Sequence, residues 1–398
     1  QGHSLHKYRV TEDQQLVSTA NATPRPEMTS LAALLYGSLQ KLANTLVGSI
    51  TETADDRFAE IDAAIIKKKL ADRQGIWMGP DLGSHPTGLA VADLDGDGQM
   101  EVAVVLDRSV LIARITEGQF NEVAEVAVPA ALQMLSIDAL DLDNDGRSEL
   151  YLTAIGADIP SSFVVQYDGS NYAIIDSSLR WLLRAVTLPG EENRALVGQR
   201  IEHTEKVFKG DVFRVERKGG KLVPSGPVDL PEQLTLFNFL PLADDNNQQN
   251  FLYLTNGDYL NVVSADGKKL WGSDKYFGGS EECFTLKDQF RDELQVPTCM
   301  RPRFVMMTNN EIIAVQNVGQ RLVQRFRRFN KSRLVSLSWN GFAMTENWRT
   351  ASQPGYLGDF AVADADNDGI DELVMVVMFS RKGLTDKARA SVVIYELK

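Results

Sequence analysis

The sequence predicts an all-β fold, a six-bladed β-propeller, with a small helical extension at its N-terminus. A nine-residue acidic loop, Asp-x-Asp-x-Asp-Gly-x-x-Glu, occurs three times and begins at Asp93, Asp141 and Asp364. Short apolar runs flank every copy, and from about residue 76 onward the chain alternates short apolar segments with turn residues. The first two copies begin 48 residues apart. This distance matches a four-stranded propeller blade of roughly 40–50 residues.

Residues 1–73 are predicted to form a separate N-terminal part. Residues 1–29 are polar and contain Pro24 and Pro26, which indicates an extended arm. Apolar residues recur at helical spacing over about 30–50 and 55–72, which predicts two helices. Two helices cannot form a core by themselves, so we expect them to pack on the main domain or on a partner.

Residues 74–398 are predicted to form the propeller. Its six units are expected at residues 89–128, 135–177, 183–228, 234–272, 303–349 and 359–397. The sixth unit has three strands, and because proteins avoid an open sheet edge, residues 74–79 are expected to supply the missing strand. Seven blades are the alternative, since the 223 residues between the second and third loops also divide into five periods. Six blades are favoured because residues of about 275–300 are interpreted as an insertion.

The insertion carries the two cysteines of the chain, Cys283 and Cys299. Their spacing suits a local disulfide in an oxidising compartment. Two free thiols are the alternative.

The acidic loops have the donor set of a calcium site. Calcium takes about six to eight oxygen ligands, and carboxylates at loop positions 1, 3, 5 and 9 with a carbonyl at position 7 supply them. Three Ca²⁺ sites are predicted, and the ligands are Asp93, Asp95, Asp97, Gln99 and Glu101; Asp141, Asp143, Asp145, Arg147 and Glu149; and Asp364, Asp366, Asp368, Ile370 and Glu372. A simple acidic turn is the alternative reading of one copy. An EF-hand is disfavoured because its Glu stands at position 12 between helices.

A fourth acidic segment begins at Asp244, but Leu252 occupies its position 9, so no tight metal site is predicted there. The net charge of −13 and the pI near 4.9 argue against bulk nucleic-acid binding. No run of about 20 apolar residues is present, so no membrane-spanning segment is predicted.

The loops and their spacing resemble the VCBS/FG-GAP repeat family, whose β-propellers occur in integrin α-chains and in many exported bacterial proteins. The resemblance covers about residues 76–398. It implies a propeller with calcium held by the loop carboxylates named above. The Phe-Gly and Gly-Ala-Pro elements of stricter repeats are absent, so an integrin-like role does not carry over. The resemblance to bacterial family members implies a Gram-negative source and a periplasmic, outer-membrane-associated or extracellular location.

The sequence favours a non-catalytic scaffold for an envelope or extracellular protein partner. It contains four histidines and no Gly-x-Ser-x-Gly, His-Glu-x-x-His or phosphate-loop motif. One basic segment stands out from the acidic background and could contact an acidic protein or an anionic glycan, although a solvated loop is the alternative. Its cations are Arg321, Arg325, Arg327, Arg328, Lys331 and Arg333. A glycan-binding lectin or a polysaccharide-active enzyme is the alternative function.

Overall fold

The computed structural model describes residues 7–10, 16–19, 76–201, 207–208, 210–243, 249–286, 297–321, 327–380 and 389–397. The chain divides into two compact units, Gln1–Phe58 and Ala59–Lys398. The two helices predicted at about 30–50 and 55–72, the acidic segment at 244–248 and Arg325 lie outside the described residues. The domain boundary predicted at residue 73 lies outside them too and stays a prediction.

The first unit contains a short antiparallel β-ladder. Its strands are β1 (Lys7–Val10) and β2 (Leu16–Thr19). The register pairs Lys7 with Thr19 and Val10 with Leu16. The extended backbone predicted for residues 1–29 is present in these two strands, and their pairing was not predicted.

The second unit is a six-bladed β-propeller, as the sequence predicts, and each blade has four antiparallel main strands. The chain enters it with β3 (Ile76–Met78). Blade 1 consists of β4 (Gly88–Ala92), β5 (Glu101–Val105), β6 (Ser109–Thr116) and β7 (Gln119–Ala127). Blade 2 consists of β8 (Leu132–Leu140), β9 (Glu149–Gly156), the short β10 (Ile159–Pro160), β11 (Ser162–Tyr167) and β12 (Tyr172–Leu179).

The next two blades follow in chain order. Blade 3 consists of β13 (Leu182–Thr187), β14 (Arg194–Gln199), β15 (Val212–Lys218) and β16 (Lys221–Pro227). Blade 4 consists of β17 (Phe239–Ala243), β18 (Gln249–Leu254), β19 (Tyr259–Ser264) and β20 (Lys269–Tyr276).

A two-stranded insertion separates blade 4 from blade 5. It consists of β21 (Cys283–Phe284) and β22 (Thr298–Cys299). Blade 5 consists of β23 (Phe304–Met306), β24 (Ile312–Gln320), β25 (Arg328–Trp339) and β26 (Met344–Arg349), with the short β27 (Gln353–Pro354) beside β25. Blade 6 consists of β28 (Tyr356–Ala363), β29 (Glu372–Ser380), β30 (Arg389–Glu396) and β3.

The ring closes by pairing the beginning and the end of the propeller. Strand β3 lies antiparallel to β30, with Trp77 opposite Ile394. The indole Nε1 of Trp77 donates a hydrogen bond to the carbonyl of Gly118 in blade 1, at 2.8 Å. Both the predicted closure by residues 74–79 and the predicted number of blades are therefore confirmed.

The core lies between neighbouring blades. The second strand of blade 1 shows why the strand sequences contain continuous apolar runs. All five residues of β5 are buried. Val102 and Val104 pack with residues of blade 6, whereas Ala103 and Val105 pack with residues of blade 2. Because a blade is covered on both faces, its middle strands have runs of successive apolar residues, such as 102–105, rather than apolar residues at alternate positions only.

The two cysteines form the predicted disulfide, Cys283–Cys299. They face each other across the β21–β22 ladder. The insertion is tied to the propeller by Glu282, which binds His85, and by a hydrogen bond from Gln133 to the carbonyl of Cys283 at 2.9 Å. Within the described residues, no helix is long and apolar enough to cross a bilayer.

Candidate metal centre

The three acidic loops occupy the same place in blades 1, 2 and 6, between the first and second strands of the blade. In each loop, the Glu at position 9 is the first residue of the second strand. Glu101 pairs with Ala92, Glu149 with Leu140, and Glu372 with Ala363 in the ladder. The strand pairing therefore fixes both ends of each loop.

Two left-handed backbone positions shape every loop. The glycines at position 6 have φ angles of 83°, 89° and 90° for Gly98, Gly146 and Gly369. Open space surrounds all three, so the backbone conformation rather than crowding requires glycine there. Position 4 is also left-handed, with Gly96, Asn144 and Asn367 at 79°, 58° and 64°. The sequence signal for position 4 was present, because Gly and Asn are the residues that adopt this conformation most readily.

The Asp at position 1 organises the turn. Its Oδ2 accepts a hydrogen bond from the backbone N–H of the position-6 glycine, at 2.8 Å in blade 1 and 2.9 Å in blades 2 and 6. The Asp at position 5 accepts the N–H of position 7, from Gln99, Arg147 and Ile370, at 2.9, 2.8 and 3.0 Å. The proposed use of the position-7 carbonyls as metal ligands stays a prediction.

The Glu at position 9 is fully buried in all three loops. Its Oε2 accepts the backbone N–H of position 2, at 2.9 Å in blade 1, 3.2 Å in blade 2 and 2.8 Å in blade 6. Burial raises the pKa of Glu101 and of Glu149 above the usual value of a glutamate. The chain thus holds a carboxylate away from solvent at the base of each loop.

The carboxylate oxygens converge. In blade 6, one oxygen from each of Asp364, Asp366, Asp368 and Glu372 lies within 4.8 Å of the others. In blade 1 the group is Asp93, Asp95 and Glu101, and in blade 2 it is Asp141, Asp143 and Asp145. Convergent oxygen donors without sulfur or imidazole fit a hard cation such as calcium. The blade 6 loop fits it best, because all four predicted carboxylates meet there.

A comparison with family models matches the part of the chain that contains two of these loops. A model described as an FG-GAP-like repeat matches residues 93–152, which contain the loops of blades 1 and 2. Residues 93–152 thus contain an FG-GAP-like repeat within a six-bladed β-propeller.

Comparisons with individual proteins are more distant. The chain is 25% identical over 191 residues to an uncharacterized protein of Aquifex aeolicus (strain VF5), and the match covers 47% of this chain and 36% of that protein. It is similar to the crystal structure of the soluble aldose sugar dehydrogenase of Escherichia coli, at 12% identity and a TM-score of 0.40, covering 81% of this chain and 99% of that one. It is also similar to BBS1N in complex with ARL6DN, at 11% identity and a TM-score of 0.39, covering 81% and 97%. Similarity at this level assigns no activity to the chain.

Arg114 and Arg217, which the sequence analysis missed, contact carboxylates of the loops in blades 1 and 2. Arg114, from β6 of blade 1, places Nε 2.7 Å from Glu101, Nη1 2.9 Å from Asp97 and Nη2 3.1 Å from Asp95. Arg217, from β15 of blade 3, places Nη2 3.4 Å from Glu149 and Nε 3.8 Å from Asp143. Both guanidinium groups reduce the repulsion between carboxylates. Neither arginine belongs to a loop, so the loop sequences alone do not predict these contacts.

The described residues of the basic segment, Arg321 and 327–333, lie mainly in strands rather than in a long solvated loop. Strands β24 and β25 continue as a ribbon up to the pairing of Gln320 with Arg328. Buried Arg327 forms an ion pair with buried Asp258 on blade 4. Arg321 places Nε 3.2 Å from the same carboxylate and stacks on Phe329, 4.8 Å from the ring centroid. These two cations therefore bind Asp258, which is far away in sequence, and Arg321 also stacks on an aromatic ring.

Two members of the basic segment are buried, and the prediction of a partner-contacting surface stays a prediction. Arg327 and Arg333 are buried, and Arg333 donates a hydrogen bond to Gln316 at 2.6 Å. Arg328 and Lys331 are exposed. These two residues remain candidates for a contact with an acidic partner.

Proposed function

We propose that the protein is a non-catalytic, calcium-stabilised propeller that holds a protein partner in the cell envelope or outside the cell. The observation that carries the calcium part is the repeated convergence of carboxylates at one place in three blades. The residues that would hold the ions are the carboxylates at loop positions 1, 3, 5 and 9. A bound ion would neutralise carboxylates that otherwise repel each other, so its binding energy would become folding energy.

Native mass spectrometry of the purified chain tests the calcium sites. We expect three Ca²⁺ per chain, with the blade 6 ion retained at the lowest free calcium. Asp366→Asn should reduce the count to two. Asp168→Asn is the matched control, because Asp168 lies in an exposed turn of blade 2 and accepts hydrogen bonds from backbone N–H groups at 2.8 Å. Retention of no calcium, or an equal loss in both variants, would contradict the assignment.

A non-catalytic role is supported by the contact of His85, whose Nε2 is already bound to Glu282. His3, His6 and His203 lie outside the described residues. The location is supported by the Cys283–Cys299 disulfide, since such bonds persist in oxidising compartments.

Pull-down of partners from the native envelope fraction tests the scaffold role. The full chain should retain a specific protein that a chain lacking residues 1–73 loses. Arg328→Glu with Lys331→Glu should weaken the same contact if the exposed end of the basic segment contributes to it. Lys221→Glu, at an exposed position of blade 3, is the control. A glycan array run with and without EDTA separates the alternative: calcium-dependent glycan binding without a protein partner would overturn the scaffold role.

A further inference from the structure

The six blades enclose a cavity of about 260 Å³ at the centre of the ring. The first strand of every blade contributes to its wall, through Ala90, Asp138, Arg184, Pro241, Val305 and Ala361 among others. Phe237 and Phe239 supply aromatic surface. This volume is slightly below the roughly 300–1,000 Å³ of pockets for drug-sized ligands, so a small solute fits.

Arg303 neutralises the two carboxylates of this centre. Its Nε lies 2.7 Å from Oδ1 of Asp359, its Nη2 lies 2.7 Å from Oδ2 of Asp359, and its Nη1 lies 2.9 Å from Oδ1 of Asp138. The carbonyl of Ile137 accepts a further hydrogen bond at 2.8 Å. Arg303 is thus fully engaged by blades 2 and 6.

Arg184 is different. Its side chain lines the same cavity and is 9% exposed, yet its ion pair with Asp138 is a long one, with Nε 3.6 Å from Oδ2. The guanidinium lies over the ring of Phe237, 5.6 Å from the centroid. Within the described residues, its terminal nitrogens make no hydrogen bond. Arg184 is therefore a buried cation in the cavity wall, and its terminal nitrogens can still donate hydrogen bonds.

The charges of the centre do not balance. Arg194 also lines the cavity, and its Nη2 lies 3.1 Å from Oδ1 of Asp138. Among the described residues of the centre, three guanidinium groups, on Arg184, Arg194 and Arg303, stand against two carboxylates, on Asp138 and Asp359. The Arg194 side chain is 42% exposed, whereas Arg184 and Arg303 are largely buried, so the excess positive charge lies at the edge of a partly desolvated centre that favours an anion.

We infer that the central cavity binds a small anionic solute whose carboxylate or phosphate group is held by Arg184. The planar fork of a guanidinium matches both groups. The apolar walls around Phe237 would then take the remainder of the solute. This site is independent of the calcium loops and of the protein-partner surface.

The ionisation of the centre agrees with an anion site at Arg184. Burial lowers the pKa of Arg184 below its usual value, although Asp138 acts against this. For Arg303, burial acts in the same direction, but Asp359 and Asp138 outweigh it and raise the pKa. Burial lowers the pKa of Arg194 in the same way, so Arg184 and Arg194 are the two cations of the centre whose burial the carboxylates do not fully offset.

Isothermal titration of the full chain, freed of excess calcium, tests the inference with inorganic phosphate, glucuronate and neutral glucose as probes. We expect saturable binding of phosphate, glucuronate or both, and none of glucose. The two anions distinguish a phosphate ligand from a carboxylate ligand. Arg184→Gln should weaken binding at least about tenfold, as expected for the loss of a charge-assisted hydrogen bond. Arg180→Gln, at an exposed position four residues earlier, should leave it unchanged.

A measurement without variants guards against misfolding of Arg184→Gln. Arginine-specific modification of the wild-type chain by phenylglyoxal, mapped by mass spectrometry, should show that the bound anion protects Arg184 and not Arg180. Absence of saturable anion binding, equal binding of glucose and glucuronate, unchanged binding by a folded Arg184→Gln variant, or lack of protection at Arg184 would each overturn the inference.

Discussion

At the scale of single residues, Arg303 shows how the ring is held together at its centre. It lies in the segment that leads into blade 5, and it binds carboxylates of blades 2 and 6. Asp138 is 1% exposed and Asp359 is 7% exposed. Burial alone would raise the pKa of Asp138, but Arg184, Arg303 and Arg194 lower it below its usual value. The charge of Asp138 therefore depends on the nearby arginines.

Replacing Arg303 by Gln is expected to lower the free energy of unfolding by about 3–5 kcal/mol, because it leaves buried charge uncompensated. Urea unfolding followed by circular dichroism measures the change. Arg389→Gln is the control, since this side chain is 73% exposed and approaches Asp81 at 4.0 Å. The control should change stability by less than about 0.5 kcal/mol. A loss below about 1 kcal/mol for Arg303→Gln would contradict the role of Arg303 at the centre.

His85 is expected to make stability depend on pH. Burial acts to lower its pKa, but the hydrogen bond and the charge of Glu282, with Asp107 and Glu281 farther away, raise it above 6.5. Its contribution is therefore complete below pH 6.5 and is lost as the pH rises through the raised pKa of the folded state. The stability difference between wild type and His85→Gln should be larger at pH about 6 than at pH about 9. An imidazole pKa at or below 6.5, measured by NMR, would refute this.

At the scale of structural elements, the features predicted correctly from the sequence are those that a short stretch of chain specifies by itself. Each acidic loop and its flanking strands lie within a short stretch of chain, so spacing alone located them. In the basic segment, sequence reasoning missed the ion pair of Arg327, because its partner Asp258 lies 69 residues away in sequence. Arg114 and the central arginines were missed for the same reason: their partners come from other strands or other blades.

Strand β3 is the element on which ring closure depends, although it has three residues. Trp77 pairs with blade 6 and stacks near Phe120 of blade 1, with ring centroids 6.4 Å apart. Trp77→Ala is expected to lower the free energy of unfolding by about 2–4 kcal/mol. This loss is smaller than that for a fully buried Trp, because Trp77 is only partly buried. Met78→Ala is the matched control on the same strand, since Met78 is 50% exposed and should matter by less than about 0.5 kcal/mol. Chemical denaturation compares the two variants, and equal losses would show that Trp77 does not close the ring.

At the scale of the whole molecule, the net charge of −13 follows in part from the loops. Twelve carboxylates, at positions 1, 3, 5 and 9, stand in three short loops. Apolar packing between blades holds the second strands in place, while the loops at the start of those strands concentrate like charge. The fold is thus expected to be most stable when cations occupy the loops.

Thermal melting of the intact chain with calcium and with EDTA tests this central claim most directly. Because an ion bound only by the folded state stabilises it, millimolar calcium should raise the melting temperature by many degrees over EDTA. Asp366→Asn should shrink this difference, and Asp168→Asn should leave it unchanged. Equal melting temperatures in calcium and EDTA would contradict the account of the loops as structural calcium sites.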